Sequence, residues 1–168
     1  MSAASDRHDR LAAELESHDL LSWLDVSVVE MSEGHVVFAL PFDEKFANIA
    51  SGTVHGGITA TVIDTASGFA LRTTFETPSE AMLTTTDLNT RYVRPATSDL
   101  RIEAEVVRAG RTMGVTECEV TSVHEGERKV VATGGTTYRL FRTDDGDEHP
   151  TGPEETADER TETAEEDR

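Results

Sequence analysis

The spacing of apolar residues changes period along the chain. Two short apolar runs, 26–30 and 35–40, read as strands, and Ser32, Glu33 and Gly34 between them suit a hairpin turn. From Gly56 to about Thr73 the spacing lengthens. Ile58, Val62, Ala66, Phe69 and Ala70 follow helical periodicity, while Ile63 and Leu71 widen the apolar face, as in a helix largely enclosed by sheet. Beyond Pro78, residues 82–93, 100–109, 112–123 and 128–140 read as four strands. The clearest alternates Leu100, Ile102, Ala104 and Val106 with Arg101, Glu103 and Glu105. Gly110-Arg111 and Glu125-Gly126-Glu127 supply turns. Upstream, residues 7–17 carry a weak helical pattern through Leu11, Ala12 and Leu15. Residues 18–24 read as a short helix that buries Leu20, Leu21 and Trp23, and residues 41–54 as loop.

This order predicts an α+β domain, an antiparallel sheet of five to six strands with one face covered by a long helix. The pattern alone leaves other α+β folds open. The chain divides into a helical extension (1–17), a folded domain (18–142) and a tail (143–168).

Charge sharpens that division. The chain of 168 residues carries a formal net charge of −18. The tail holds 12 acids against Arg160 and Arg168, and no Val, Ile, Leu, Met or aromatic residue. Such a segment cannot bury enough surface to offset its ordering entropy, so it reads as disordered. The remainder is also acidic, at −8, and its bases are almost all arginine, with Lys45 and Lys129 the two lysines. An acidic, lysine-poor surface fits a halophilic protein, because concentrated salt screens its self-repulsion. The same charge argues against a nucleic-acid partner. Cys118 is the single cysteine, which excludes an intrachain disulfide and reads as a buried, inert thiol. Residues 1–20 lack the apolar core of a signal peptide, and no apolar run approaches a membrane span, so no membrane partner is expected and the predicted location is cytoplasmic.

Chemistry concentrates where loop meets helix. Asn48-Ile49-Ala50-Ser51-Gly52-Thr53-Val54-His55-Gly56-Gly57 leads into the apolar helix, and Asp64 stands in its middle. A helix start offers unpaired N–H groups and partial positive charge, which can hold a developing oxyanion. A carboxylate on an apolar helix needs a partner or a task. Together they point to acyl chemistry. The spaced set N-x3-G-x2-H-G-G-x6-D, followed by Gly68, resembles the signature of hotdog-fold acyl-CoA thioesterases of the phenylacetate-pathway (PaaI-like) type. Asp87-Leu88-Asn89-Thr90-Arg91-Tyr92-Val93-Arg94-Pro95-Ala96 is similar to that family's D-x-N-x-x-Y-x-x-P-A strand. The resemblance covers roughly residues 18–141.

The resemblance implies a sheet wrapped round a central helix and hydrolysis of an acyl or aryl-acyl coenzyme A thioester. Gly56 N–H would polarise the thioester carbonyl. Asp64 would activate water or attack directly to give a mixed anhydride. Thr85 would hold the water, Asn48 would orient the carbonyl or the water, and His55 would position the loop or sit near the leaving sulfur. Gly57, Arg91, Arg94 and Arg111 are candidate substrate contacts, the arginines for coenzyme A phosphates. Coenzyme A enters as part of the substrate, so no cofactor is expected. The six histidines lack paired metal-ligand spacing, so no metal site is expected either.

Helix geometry adds a constraint. Asp64 lies eight residues beyond Gly56, roughly 12 Å along the axis at about 1.5 Å per residue. Reacting atoms must approach within about 3–3.5 Å. If both groups serve one reaction, Asp64 acts from a second subunit across a two-fold axis. The expected assembly is therefore a homodimer, with a homotetramer as its further association. Two other functions compete. A hotdog hydratase places Asp and His a few residues apart near the helix start, whereas here nine residues separate them. A non-catalytic acyl-CoA-binding module would normally carry a regulatory domain, and residues 1–17 are too short for one.

Deleting residues 143–168 is expected to leave oligomeric state and turnover essentially unchanged. A large fall in kcat, or loss of assembly by size-exclusion chromatography, would show that the tail does structural or catalytic work.

Overall fold

The computed structural model describes residues 3–78 and 81–141, and the acidic tail lies outside the described residues. The chain enters through two helices, α1 (Ala3–Ser17) and α2 (Asp19–Leu24). On α1, Leu11 and Leu15 stand one turn apart and are fully buried in the main core. Burial of a leucine side chain contributes about 1.5–3 kcal/mol, so α1 is packed structure rather than a loose extension. Its Glu14 also makes a two-pronged ion pair with Arg72, 2.7 Å for each arm.

The second helix corrects the sequence reading. It buries Leu21 and Leu24, while Leu20 and Trp23 are about half exposed. In a six-residue helix only positions three apart share the inward face, and the adjoining face carries Leu20 and Trp23. Trp23 instead lies beneath the Lys45 ammonium, 5.0 Å from the ring centroid. Asp25 ends the helix in the left-handed region, φ 61°.

Six strands follow: β1 (Ser27–Ser32), β2 (His35–Leu40), β3 (Met82–Tyr92), β4 (Leu100–Ala109), β5 (Met113–His124) and β6 (Glu127–Phe141). They form one antiparallel sheet in the order β1-β2-β4-β5-β6-β3. Between β2 and β3 runs α3 (Gly56–Arg72), the long helix that the periodicity predicts. Val62, Ile63, Ala66, Phe69, Ala70 and Leu71 are buried on it, and Phe69 meets Phe38 of β2 edge-to-face at 5.6 Å between centroids. Leu40, Leu100, Ile102, Ala104 and Val120 complete the core from the sheet side. This is the hotdog fold, a sheet wrapped round one helix. The loop before α3 contains a single 3-10 turn, Glu44–Phe46. It is tied down by backbone bonds from Val54 to Ala96 and from His55 to Phe46, each 2.9 Å.

The placement of β3 at one edge matters for the site. A one-residue register shift between Thr85 and Asp87 interrupts its pairing with β6. Before the bulge, Leu83 and Thr85 face α3. After it, Leu88 and Tyr92 do, while Asn89 and Arg91 turn to the outer face.

Cys118 sits on the inner face of β5, 4% exposed and paired in register with Ala104. Burial, with smaller contributions from the Glu103 and Glu119 carboxylates, pushes its thiol up to about 12. The unfolded thiol ionises near about 8.5. Because the folded value is the higher one, this contribution to stability is complete below the unfolded value and fades as pH rises towards the folded one. At pH 8–9 the native chain is expected to resist thiol alkylation, while the denatured chain reacts promptly. Comparable labelling rates for the two, read by mass spectrometry, would contradict this placement.

Candidate active site

The first turn of α3 leaves one backbone donor open. His55 is the N-cap, in extended conformation, and its Nδ1 accepts the Gly57 N–H at 2.9 Å. Its carbonyl accepts from Ile58 and Thr59. Gly57 N–H is thereby engaged. A Cβ at Gly57 would come within 3.0 Å of the ring, so this glycine admits the cap. Gly56 N–H has no acceptor among the described residues. Gly56 lines a cavity of about 450 Å³ with Asn48, Thr53, Thr59, Tyr92 and Arg94. Asn48 Nδ2 donates to Thr53 Oγ1 at 3.1 Å, and the Asn48 backbone N–H bonds Thr53 O at 2.7 Å, so Asn48 closes the loop at the cavity wall. Arg94 Nη1 donates to Val130 O at 2.8 Å.

The far end of β3 supports the same turn. Tyr92 hydroxyl donates to Gly56 O at 2.6 Å. Asn89 Nδ2 donates to Gly135 O at 3.1 Å, holding β3 to β6. Both residues belong to the second sequence block, so the Tyr92 contact was legible as a spacing without its role.

Asp64 lies elsewhere on α3, in a second cavity of about 470 Å³. Leu20, Phe69, Leu83 and Leu88 make its walls apolar. Thr85 Oγ1 donates to Asp64 Oδ1 at 2.9 Å. Tyr138 hydroxyl lies 2.8 Å from the same Oδ1 and 2.6 Å from the Asp64 carbonyl oxygen, so its one proton is shared between them. Burial, the neighbouring Asp64 carboxylate and the hydrogen bond to it raise the Tyr138 phenol well above its ordinary value, partly opposed by the Thr85 and Thr136 hydroxyls. It stays a neutral donor. Sequence reasoning missed Tyr138, which reads there as one more inward strand residue.

The structure thus brings Gly56, Asn48, His55 and Arg94 together at one end of α3, and Asp64 with Thr85 at its middle. It does not bring Arg91 or Arg111 to either group. Arg91 lines a third cavity on the outer face with Glu103, Glu105, Glu117 and Glu119. Arg111 is exposed in the β4–β5 turn. The outer face also gathers His35, Glu103 and Glu105, with ligand atoms within 4.8 Å of one another, a set able to hold a cation. Strand register, His35 opposite Glu105, creates the group, so sequence spacing did not reveal it. Glu103 is already bonded to His35 at 3.0 Å and to Arg101.

Comparison with known proteins identifies the family. Residues 51–129 match the Thioesterase superfamily model, a stretch that includes His55, Gly56, Gly57, Asp64 and Thr85. The chain is 42% identical over 146 residues to a candidate esterase of Halobacterium salinarum, covering 84% of this chain and 97% of that one. It is 33% identical over 117 residues to human acyl-coenzyme A thioesterase 13, covering 68% and 79%. Among solved structures, a thioesterase family protein from Silicibacter pomeroyi superposes with TM-score 0.74 at 25% identity, covering 83% and 98%. The Escherichia coli PaaI protein from the phenylacetic acid degradation operon shares the fold, with TM-score 0.71 at 20% identity over 84% and 97% of the chains. The chain belongs to the thioesterase superfamily, as a hotdog-fold thioester hydrolase.

Proposed function

We propose that the chain hydrolyses an acyl or aryl-acyl coenzyme A thioester at a site assembled from two copies of itself. The observation that carries the reading is the division of the chemistry between two cavities. The one at the start of α3 holds an open N–H donor and no acidic side chain among its lining residues. The one at the middle of α3 holds Asp64 and its hydroxyl donors. Eight residues of helix separate the two groups by about 12 Å, too far for a shared carbonyl. Each cavity is half a thioesterase site, and a two-fold axis that sets two α3 helices antiparallel completes both. The exposed edge of β3 suits edge-to-edge joining of the two sheets, since its backbone groups on that side face no other strand among the described residues.

In this site Gly56 N–H, aided by the helix dipole, receives the oxygen of the thioester carbonyl. Asp64 of the facing copy acts in one of two ways. As a base it takes a water proton while the water oxygen bonds to the carbonyl carbon. As a nucleophile it bonds to that carbon itself. The C–S bond then breaks and coenzyme A leaves as thiolate, which near neutral pH needs little protonation because thiols ionise near about 8.5. A mixed anhydride, where formed, is hydrolysed by water. His55 serves as the helix cap that keeps Gly56 N–H open. Asn48 lines the carbonyl side, Thr85 holds the carboxylate, and Arg94 is the basic group beside the donor cavity for a phosphate of coenzyme A. The acidic, lysine-poor composition and the Halobacterium relative support a working environment of high salt. No helix among the described residues is long and apolar enough to cross a membrane. A cytoplasmic location belongs to the same reading.

A panel of acyl-CoA substrates in molar salt is the first measurement. Asp64→Asn is expected to keep the fold and lose activity by orders of magnitude. Activity within about threefold of wild type would remove Asp64 from the mechanism. Gly56→Pro deletes the donor at a helix position where proline is otherwise accepted. Each variant must first be shown folded and dimeric, since a Cβ at Gly56 meets Tyr92 hydroxyl at 3.0 Å. Refolded together at random exchange, the two inactive variants are expected to recover roughly a quarter of wild-type activity, because half the dimers are mixed and each holds one intact site. No recovery, with mixing verified by mass spectrometry, would place the site within one chain.

A further inference from the structure

The structure brings Tyr138 to Asp64 in a way that distinguishes the two carboxylate oxygens. Oδ1 faces the hydroxyls of both Thr85, at 2.9 Å, and Tyr138, at 2.8 Å. Oδ2 has no hydrogen-bond partner among the described residues. Thr85 and Tyr138 are directly opposite each other in the β3–β6 ladder, so the two donors are a cross-strand pair held by the sheet. The β3 bulge begins immediately after Thr85.

Tyr138 is itself fixed. It is 3% exposed. Gly68 stands one helical turn beyond Asp64, and a Cβ there would lie 3.1 Å from the Tyr138 hydroxyl oxygen. The missing side chain at Gly68 is the space this hydroxyl occupies. Two residues before Tyr138 on β6, Thr136 meets Thr116 hydroxyl to hydroxyl at 2.7 Å in the buried interior. The phenol therefore sits in a small polar seam with few alternative orientations.

We infer that Tyr138 is a positioning residue for the reaction: with Thr85 it holds Asp64 Oδ1 and leaves Oδ2 as the oxygen that reacts. This rests on the thioesterase reading of Asp64. In the base mode, the new O–H bond forms at Oδ2 as the water O–H bond breaks. In the nucleophile mode, the new O–C bond forms at Oδ2, and C–S breaks with its electron pair leaving on sulfur. Oδ1 forms no new bond in either. Two donors on Oδ1 favour the ionised carboxylate and stop it rotating. Burial and the adjacent carboxylate keep the phenol protonated, so it donates throughout and never acts as a base.

The test is Tyr138→Phe, which removes one oxygen and keeps the ring. Three other groups bear on the pH response, and the substitution leaves them in place. His18, the N-cap residue of α2, and Arg72 of α3 line the same cavity, and Glu14 of α1 pairs with Arg72. In the full chain, with whichever acyl-CoA the panel shows to be hydrolysed, kcat is expected to fall about ten- to a hundredfold with little change in KM. The acid limb of the kcat–pH profile is expected to move to higher pH, because the carboxylate has lost a donor to its charged form. Carboxyl ¹³C NMR, with the Asp64 resonance assigned by its loss in Asp64→Asn, is expected to show Asp64 protonating at higher pH in Tyr138→Phe than in wild type. Gly68→Ala, which crowds the hydroxyl, is expected to shift both readouts the same way and serves if Tyr138→Phe does not fold. Profiles and titrations superimposable on wild type, even with reduced kcat, would overturn the inference and leave Tyr138 a packing residue. If Asp64→Asn keeps activity, the thioesterase reading of Asp64 fails separately, while the carboxyl titration still decides whether Tyr138 holds it.

Discussion

The bond from Gly57 N–H to His55 Nδ1 sets the terms for the rest of the site. A helix start has several unpaired donors. If all were left open, the carbonyl of a substrate would meet a diffuse patch. If all were capped, it would meet nothing. Here the ring takes the second donor, and the first is left at the cavity wall. Two glycines in a row make this possible by admitting the ring on one side and the Tyr92 hydroxyl on the other. The loop bonds through Val54, Phe46 and Ala96 then fix the direction of the open N–H, so its orientation is set before any ligand arrives.

The same helix must carry an acid into a cavity walled in part by Leu20, Phe69, Leu83 and Leu88. A lone carboxylate there would be costly. The sheet answers with hydroxyls rather than cations. Thr85 and Tyr138 each direct a hydroxyl at its Oδ1. Arg72, which lines the same cavity, is held by Glu14 and by Pro78 O at 3.0 Å. The docking of α1 thus does more than fill the core, since it restrains the strongest cation in the acid's own cavity.

Much of this was legible in the sequence. The long helix, the four late strands and the donor–acid spacing follow from periodicity and from glycine placement, both of which are local. What was not legible depends on register. A period of two carries Arg91 to the same face as Thr85. The bulge between Thr85 and Asp87 reverses that and sends Arg91 outward, and nothing in Thr-Thr-Asp-Leu marks the extra residue. Tyr138 reads as an inward strand position like its neighbours, and only the pairing of β3 with β6 sets its hydroxyl beside Asp64. The exposure of Leu20 and Trp23 fails for a different reason. A helix of six residues is too short to reveal its inner face, and the groove beside Asp64 needs Leu20 as wall.

Register also decides where the acidity is concentrated. On the outer face, Glu103 stands directly opposite Glu119, and Glu105 opposite Glu117. Like charges in direct cross-strand opposition destabilise a sheet in dilute buffer. His35 and Arg101 offset part of this by bonding Glu103, and those bonds hold its carboxyl below the ordinary glutamate range, the arginine contributing most. The remaining repulsion depends on salt. The screening length is about 8 Å at physiological ionic strength and about 3 Å at 1 M, shorter than the distance between neighbouring strands. Concentrated salt therefore relieves the outer face, while the part-buried Asp64–Tyr138 contact, a hydrogen bond from a neutral phenol, is screened less. One face of the sheet can follow the solvent while the other keeps its hydroxyl contacts to Asp64.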